Sequence, residues 1–86
     1  MDNVLIYTKE NCHFCVKAKQ LLNMKGINFT ESVVGKDMLR EEFMSMYPEV
    51  KTVPLIFIDE QKVGSYEDLR EYFDNQPQLL TEKSNP

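Results

Sequence analysis

A chain of 86 residues, 42% hydrophobic and 28% charged, makes one small globular domain with no room for a second. The 10 basic and 14 acidic residues leave a formal net charge of −4, and no Lys/Arg cluster reaches the density of a nucleic-acid footprint. The longest apolar stretch, Val53 to Ile58, is far below the roughly 20 residues of a membrane span. Met1-Asp2-Asn3 lacks the basic start and long apolar core of a secretory leader, so a reducing, cytoplasmic home is expected. There, two cysteines serve catalysis or metal binding more readily than stapling.

The run Asn3 to Thr8 reads as a buried strand, and Val16 to Lys25 as a helix keeping Cys15, Ala18, Leu21 and Leu22 on one face. Gly26 is placed to end that helix in the left-handed conformation. Ile27 to Val34 alternates apolar and polar over most of its length and is expected to pair parallel to the first strand, since a helix-length crossover separates the two. Asp37 is the expected N-cap of a second helix that turns Leu39, Phe43 and Met46 inward and stops at Pro48. After the loop 49–53, Leu55-Ile-Phe-Ile58 is a buried strand. The turn Asp59-Glu60-Gln61 and the short return strand Lys62-Val63 complete an antiparallel hairpin. Ser65-Tyr66-Glu67-Asp68 has the pattern of a capping box opening a third helix, with Leu69, Tyr72 and Phe73 as its buried stripe and Pro77 at its end. The domain is expected over 1–76, followed by a loosely held polar tail over 77–86.

Between the first strand and the first helix stands Cys12-His13-Phe14-Cys15. At such a junction the first thiol meets the unpaired N–H groups and positive dipole end of the helix, a field that favours the thiolate that attacks disulfides. The second cysteine lies about one turn on, in reach of the first. A structural zinc site is the competing reading, but zinc wants four protein ligands and only His13 remains to join the cysteines; no metal site is expected. The order β-α-β-α-β-β-α with Cys-x-x-Cys after the first strand is the minimal thioredoxin-like arrangement: an α/β fold with a four-stranded mixed sheet flanked by three helices. Thr52-Val53-Pro54 precedes a buried strand, where a proline that cannot donate to a ladder sits naturally. Gly64-Ser65-Tyr66-Glu67-Asp68 opens a helix and offers backbone N–H groups to an anion. Taken singly, Lys9 and Lys51 are ordinary surface lysines, Glu67 and Asp68 ordinary first-turn acids, and His13 stays open between bystander and tuning group.

Together, Tyr7-Thr8-Lys9 leading to Cys12-His13-Phe14-Cys15, then Thr52-Val53-Pro54, then Gly64-Ser65-Tyr66-Glu67-Asp68-Leu69 resemble a glutaredoxin from about Val4 to Phe73. The resemblance implies a glutathione-dependent thiol–disulfide oxidoreductase of the dithiol type, with Cys12 and Cys15 catalytic, glutathione as reducing co-substrate and no tightly bound cofactor. It also implies a monomer acting on disulfide-bearing or glutathionylated proteins, ribonucleotide reductase among the candidates. In that family the proline after Thr-Val is cis and lies against the cysteines, and the Thr52-Val53 backbone would pair with glutathione like an added strand. By position, Lys9 and Lys51 would meet the glycyl carboxylate, Phe14 and Pro54 would border the ligand, and the helix start at Glu67 and Asp68 would hold the γ-glutamyl end. The chain departs from the family in having His13-Phe14 for the common Pro-Tyr, Ser65 for a common second glycine, and no match for a glutamine of the second helix.

Two rival classes are separable on the same residues. Redoxins recharged by thioredoxin reductase resemble glutaredoxins but carry a Trp-Ser-Gly-Phe stretch, and this chain has no Trp. Modules that hold an iron–sulfur cluster through one cysteine per subunit and two glutathiones resemble Cys-Gly-Phe-Ser, against which Cys15 speaks.

Overall fold

In the computed structural model, which describes residues 3–75, the chain order is β1 (Val4–Thr8), α1 (His13–Met24), β2 (Thr30–Val33), α2 (Arg40–Met46), β3 (Leu55–Ile58), β4 (Gln61–Gly64) and α3 (Tyr66–Asp74). The strands form one sheet in the order β2-β1-β3-β4, with β1 parallel to β2 and antiparallel to β3, and β3 antiparallel to β4. Strand side chains alternate between faces, and that alternation builds two cores. Val4 and Ile6, opposite Ile58 and Ile56, pack against Ala18 and Leu22 of α1 and Leu69 and Phe73 of α3. Leu5 and Tyr7, opposite Phe57 and Leu55, face the other way toward Phe43 of α2 and Tyr47. Helices thus cover both faces of a four-stranded mixed sheet, the expected thioredoxin-like architecture.

Local chemistry moves several boundaries. Helix α1 starts at His13, three residues before the expected Val16, because the Cys12 sulfur serves as its cap and accepts the Cys15 N–H at 3.3 Å. At the other end Gly26 has φ 71°, with its N–H on Asn23 C=O at 3.0 Å and the Ile27 N–H on Leu22 C=O at 3.0 Å. That bond keeps Ile27 out of the sheet, so β2 runs over Thr30–Val33 and not the expected Ile27 to Val34. Ile27 and Phe29 still pack on the α1/α3 core.

Asp37 does not cap α2. Its carboxylate accepts the Val33 N–H at 2.9 Å, closing the turn after β2. Leu39 takes the N-cap position, and its N–H is held by the Glu42 carboxylate at 3.0 Å. Of the expected inward stripe only Phe43 is buried; Leu39 and Met46 are 63% and 54% exposed. A helix of seven residues makes about two turns and presents one side chain squarely to the sheet. The β3–β4 hairpin turns on Asp59 and Glu60, both with positive φ, so the return strand begins one residue early, at Gln61. The Ser65 capping box is present: Ser65 Oγ accepts the Asp68 N–H at 3.3 Å while Asp68 Oδ2 accepts the Ser65 N–H at 2.9 Å. Pro77 and the tail over 77–86 lie outside the described residues.

A polar link ties α1 to the sheet below the cysteines. Buried Thr8 donates its hydroxyl to Glu31 Oε2 at 2.7 Å, and Lys19 Nζ donates to the same oxygen at 2.9 Å. The Thr8 hydroxyl first, then Lys19, hold the Glu31 carboxyl below the usual carboxylate range. A carboxyl lowered in the folded state adds stability above its unfolded value, and that stability is lost as pH falls through the folded value. Glu31→Gln is therefore expected to flatten the acid side of a pH–stability curve, by under about 1 kcal/mol since the pair is partly exposed. Urea unfolding between pH 3 and 7 measures this; an unchanged acid limb would show that the link is inert.

Candidate active site

Strand β1, inside the sheet, ends at Thr8, and α1 begins with Cys12 as its N-cap. Cys12 and Cys15 are joined as a disulfide, their Cα atoms 5.2 Å apart. Cys15 is buried at 1% exposure, packed with Tyr7, Phe43, Val53 and Leu55, whereas Cys12 is partly exposed. The asymmetry follows from the helix: Cys15 is inside its first turn and faces the core, while Cys12 stands at the end where N–H groups converge. The Cys12 sulfur receives the Cys15 N–H at 3.3 Å and lies 3.7 Å from the Val53 carbonyl oxygen. A thiolate at this position has a donor already aimed at it.

The Val53–Pro54 peptide bond is cis, and both residues are buried beside β3. The loop that carries them is fixed by aromatic packing underneath. Tyr7, Phe43, Tyr47 and Phe57 form one ring cluster, with the Tyr7 and Tyr47 hydroxyls 3.1 Å apart. Burial, followed by that hydrogen bond, pushes the Tyr7 phenol up to about 12, so it stays neutral and structural.

Three cavities meet around the cysteine pair and the Pro54 loop. A groove of about 570 Å³ brings together Phe14, Lys51, Thr52, Val53, Pro54, Glu67 and Asp68, seven of the residues singled out in the sequence. Lys9 does not line it; Lys9 meets Lys51, Thr52 and Val53 in a neighbouring cavity of about 380 Å³. Cys12 and Cys15 face a third hollow of about 690 Å³, shared with Lys9 and with the Thr8–Glu31–Lys19 link. The site is thus split over three concavities, with Lys51 common to the first and second and Lys9 to the second and third.

The structure adds residues that the sequence reading left out. Tyr66, the first residue of α3, joins the groove with its ring 6.1 Å from that of Phe14, and Lys17 Nζ lies over both rings at 5.5 and 5.7 Å. This clamp orders Phe14, which is 50% exposed. Lys62 and Glu49 also border the groove, paired at 3.3 Å. Tyr66 was visible within the Gly-Ser-Tyr-Glu-Asp run; Lys17 and Lys62 had no sequence signal, since only folding puts them there.

A Cys-x-x-Cys at a helix start facing a cis-proline loop can be compared with proteins already described. The Glutaredoxin family profile matches residues 4–63. The chain belongs to the glutaredoxin family. Glutaredoxin 3 of Escherichia coli strain K12 is 45% identical over 69 residues, covering 80% of this chain and 83% of that protein. The glutaredoxin of Pseudomonas aeruginosa is 44% identical over 70 residues. Among solved glutaredoxins, that of Brucella melitensis superposes with a TM-score of 0.73 at 34% identity, covering 92% of this chain and 85% of that one. Glutaredoxin 1 from Francisella tularensis gives 0.71 at 30% identity, over 84% and 92%. With the paired Cys12 and Cys15, glutaredoxin membership makes this chain a thiol–disulfide oxidoreductase. No helix among the described residues is long and apolar enough to cross a membrane.

Proposed function

We propose that this glutaredoxin draws its electrons from glutathione and reduces both protein disulfides and glutathione mixed disulfides, with Cys12 as nucleophile and Cys15 as resolving thiol. The observation that carries the reading is the partly exposed Cys12 sulfur at the α1 N-cap, beside a groove that gathers Lys51, the Thr52-Val53 backbone and the start of α3. That groove has the parts to hold a short peptide: a backbone edge, a cation at one end, and helix N–H groups with Asp68 at the other.

In the proposed cycle Cys12 thiolate attacks one sulfur of the substrate disulfide, forming a mixed disulfide and releasing the other sulfur as a thiolate. With a protein substrate, Cys15 then attacks Cys12, frees the second substrate thiol and leaves the Cys12–Cys15 disulfide. One glutathione opens that bond by forming a mixed disulfide on Cys12 and freeing Cys15, and a second attacks the bound glutathionyl sulfur, so the dithiol returns and glutathione disulfide leaves. With a glutathionylated substrate, Cys12 takes the glutathionyl group and free glutathione removes it. The disulfide of a ribonucleotide reductase falls within the first route. The reading places the protein in a reducing compartment, the cytoplasm, acting as a monomer.

The deciding measurement is turnover of a glutathionylated peptide with glutathione and glutathione reductase, compared with thioredoxin reductase alone. Electron flow is expected only through glutathione; flow only from thioredoxin reductase would overturn the reading. Lys9→Ala and Lys51→Ala are each expected to raise KM more than they lower kcat, because the two lysines bind and do not react. Both are exposed, so each contact is worth on the order of 1 kcal/mol or less and weakens with salt. Unchanged KM values at low salt would remove both from the ligand site.

A further inference from the structure

The hollow of about 690 Å³ that both cysteines face also takes in the polar link between α1 and the sheet. Cys15 and Lys19 stand four residues apart in α1, so their side chains leave the same face of the helix one turn apart. Lys19 Nζ is tied in place: Glu31 Oε2 of β2 holds it at 2.9 Å, and the buried Thr8 hydroxyl lies 2.7 Å from the same oxygen. A cation is thereby pinned one turn from the buried thiol, with its counter-charge on the neighbouring strand.

That thiol has little else to draw on. Cys15 is 1% exposed, and burial disfavours a thiolate. The side chains packed with it from β1, α2, the Pro54 loop and β3 are Tyr7, Phe43, Val53 and Leu55, and the Tyr7 phenol stays neutral. Cys12, while bound to substrate in a mixed disulfide, carries no charge. The ionisable side chains that share the hollow are Lys9, Glu10, His13, Lys19 and Glu31. Of these, among the described residues, Lys19 and Glu31 are the ones joined in an ion pair, so theirs are the charges with a fixed place.

We propose that Lys19 and Glu31 are positioning residues for the resolving step, Lys19 drawing the buried Cys15 thiol toward its thiolate and Glu31 limiting that pull. In this step the Cys15 thiol gives its proton to solvent in the hollow, and its thiolate bonds to Cys12 Sγ. The bond from Cys12 to the substrate sulfur breaks, and its electron pair leaves on the substrate thiolate, which solvent protonates. The inference rests on Cys15 being the resolving thiol; it does not depend on which reductant recharges the protein.

The test uses the full chain carrying Cys12→Ser, in which Cys15 is the one remaining thiol and serine keeps the N-cap. The carbon-13 shift of Cys15 Cβ is followed against pH. Glu31→Gln leaves Lys19 unopposed and is expected to lower the midpoint of Cys15 ionisation. Lys19→Gln leaves Glu31 unopposed and is expected to raise it, each by about 0.2–0.7 pH unit, the range of an ion pair partly open to solvent. Lys19→Arg should keep the midpoint where it was. Both glutamine variants break the same link, so a merely structural role moves the two midpoints the same way or leaves both in place, and either result overturns the proposal. With Cys12 restored, release of a protein dithiol from its mixed disulfide at neutral pH should slow roughly 1.3- to 2-fold in Lys19→Gln. The effect is that small because a more basic thiolate is also more nucleophilic, which offsets about half of the loss. Opposed midpoints with an unchanged release rate would remove the pair from the resolving step. Full reduction of protein disulfides by Cys15→Ser would overturn the resolving role of Cys15, and the inference with it.

Discussion

Cys12→Ser is expected to abolish reduction of both glutathione mixed disulfides and protein disulfides, whereas Cys15→Ser should keep the first and lose most of the second. The difference follows from where each sulfur stands. Cys12 is partly exposed at the α1 N-cap with the Cys15 N–H aimed at it, so it can attack and can be relieved by free glutathione. Cys15 is buried and bonded to Cys12, so its task arises when a protein substrate is covalently held and must be released. Alkylation of the reduced protein at mildly acidic pH should label Cys12 first, since the helix end lowers the pKa of a thiol there. Loss of deglutathionylation in a folded Cys15→Ser variant, or preferential labelling of Cys15, would reverse the assignment.

Leu69→Ala is expected to be the more damaging change to the fold, and it tests how α3 is held. Leu69 is fully buried at 0% exposure, in one cluster with Leu22, Ile56 and Phe73. Truncating such a leucine removes the transfer term and leaves a cavity, together about 2–5 kcal/mol. Small domains have roughly 5–15 kcal/mol in total, and about 1 kcal/mol moves Tm by 4–8 °C at this size. A fall in Tm of more than about 10 °C is expected by calorimetry. Since α3 carries Glu67 and Asp68 into the groove, KM for glutathionylated substrate should also rise below the new Tm, while Cys12 alkylation, governed by α1, stays unchanged. A Tm shift under about 3 °C would mean that α3 is not docked through this stripe.

Much of the architecture was legible because the signals are local. The apolar runs within Val4 to Thr8 and over Leu55 to Ile58 mark buried strands, and their two faces feed two cores. Gly26 announces a left-handed helix end, and Ser65 with Asp68 a capping box, since both motifs are completed within about six residues. Where the reading failed, a local signal lost to a contact it could not anticipate. Asp37 had the chemistry of an N-cap, but its carboxylate is taken by the Val33 N–H; Ile27 had the pattern of a strand, but its N–H is bonded to Leu22. The stripe Leu39–Phe43–Met46 presupposed a helix running past both of its ends, but Leu39 is the N-cap of α2 and Met46 its last residue, so only Phe43 is buried.

For the site, the sequence by itself singled out a Cys-x-x-Cys at a strand-to-helix junction, a Thr-Val-Pro loop and an acidic helix start. These are fixed by spacing along the chain, because a helix N-terminus is made by consecutive residues and acts on its own first turn. Tertiary structure alone decided which cations stand beside them. Lys51 faces both the groove and its neighbour, Lys9 the neighbour and the cysteine hollow, Lys17 is held over Phe14 and Tyr66, and Arg40 arrives from α2. A lysine or arginine on a surface carries no mark of the cavity it will line. That placement depends on how the aromatic cluster of Tyr7, Phe43 and Tyr47 sets α2 and the Pro54 loop against the sheet, which is a matter of long-range packing and not of local pattern.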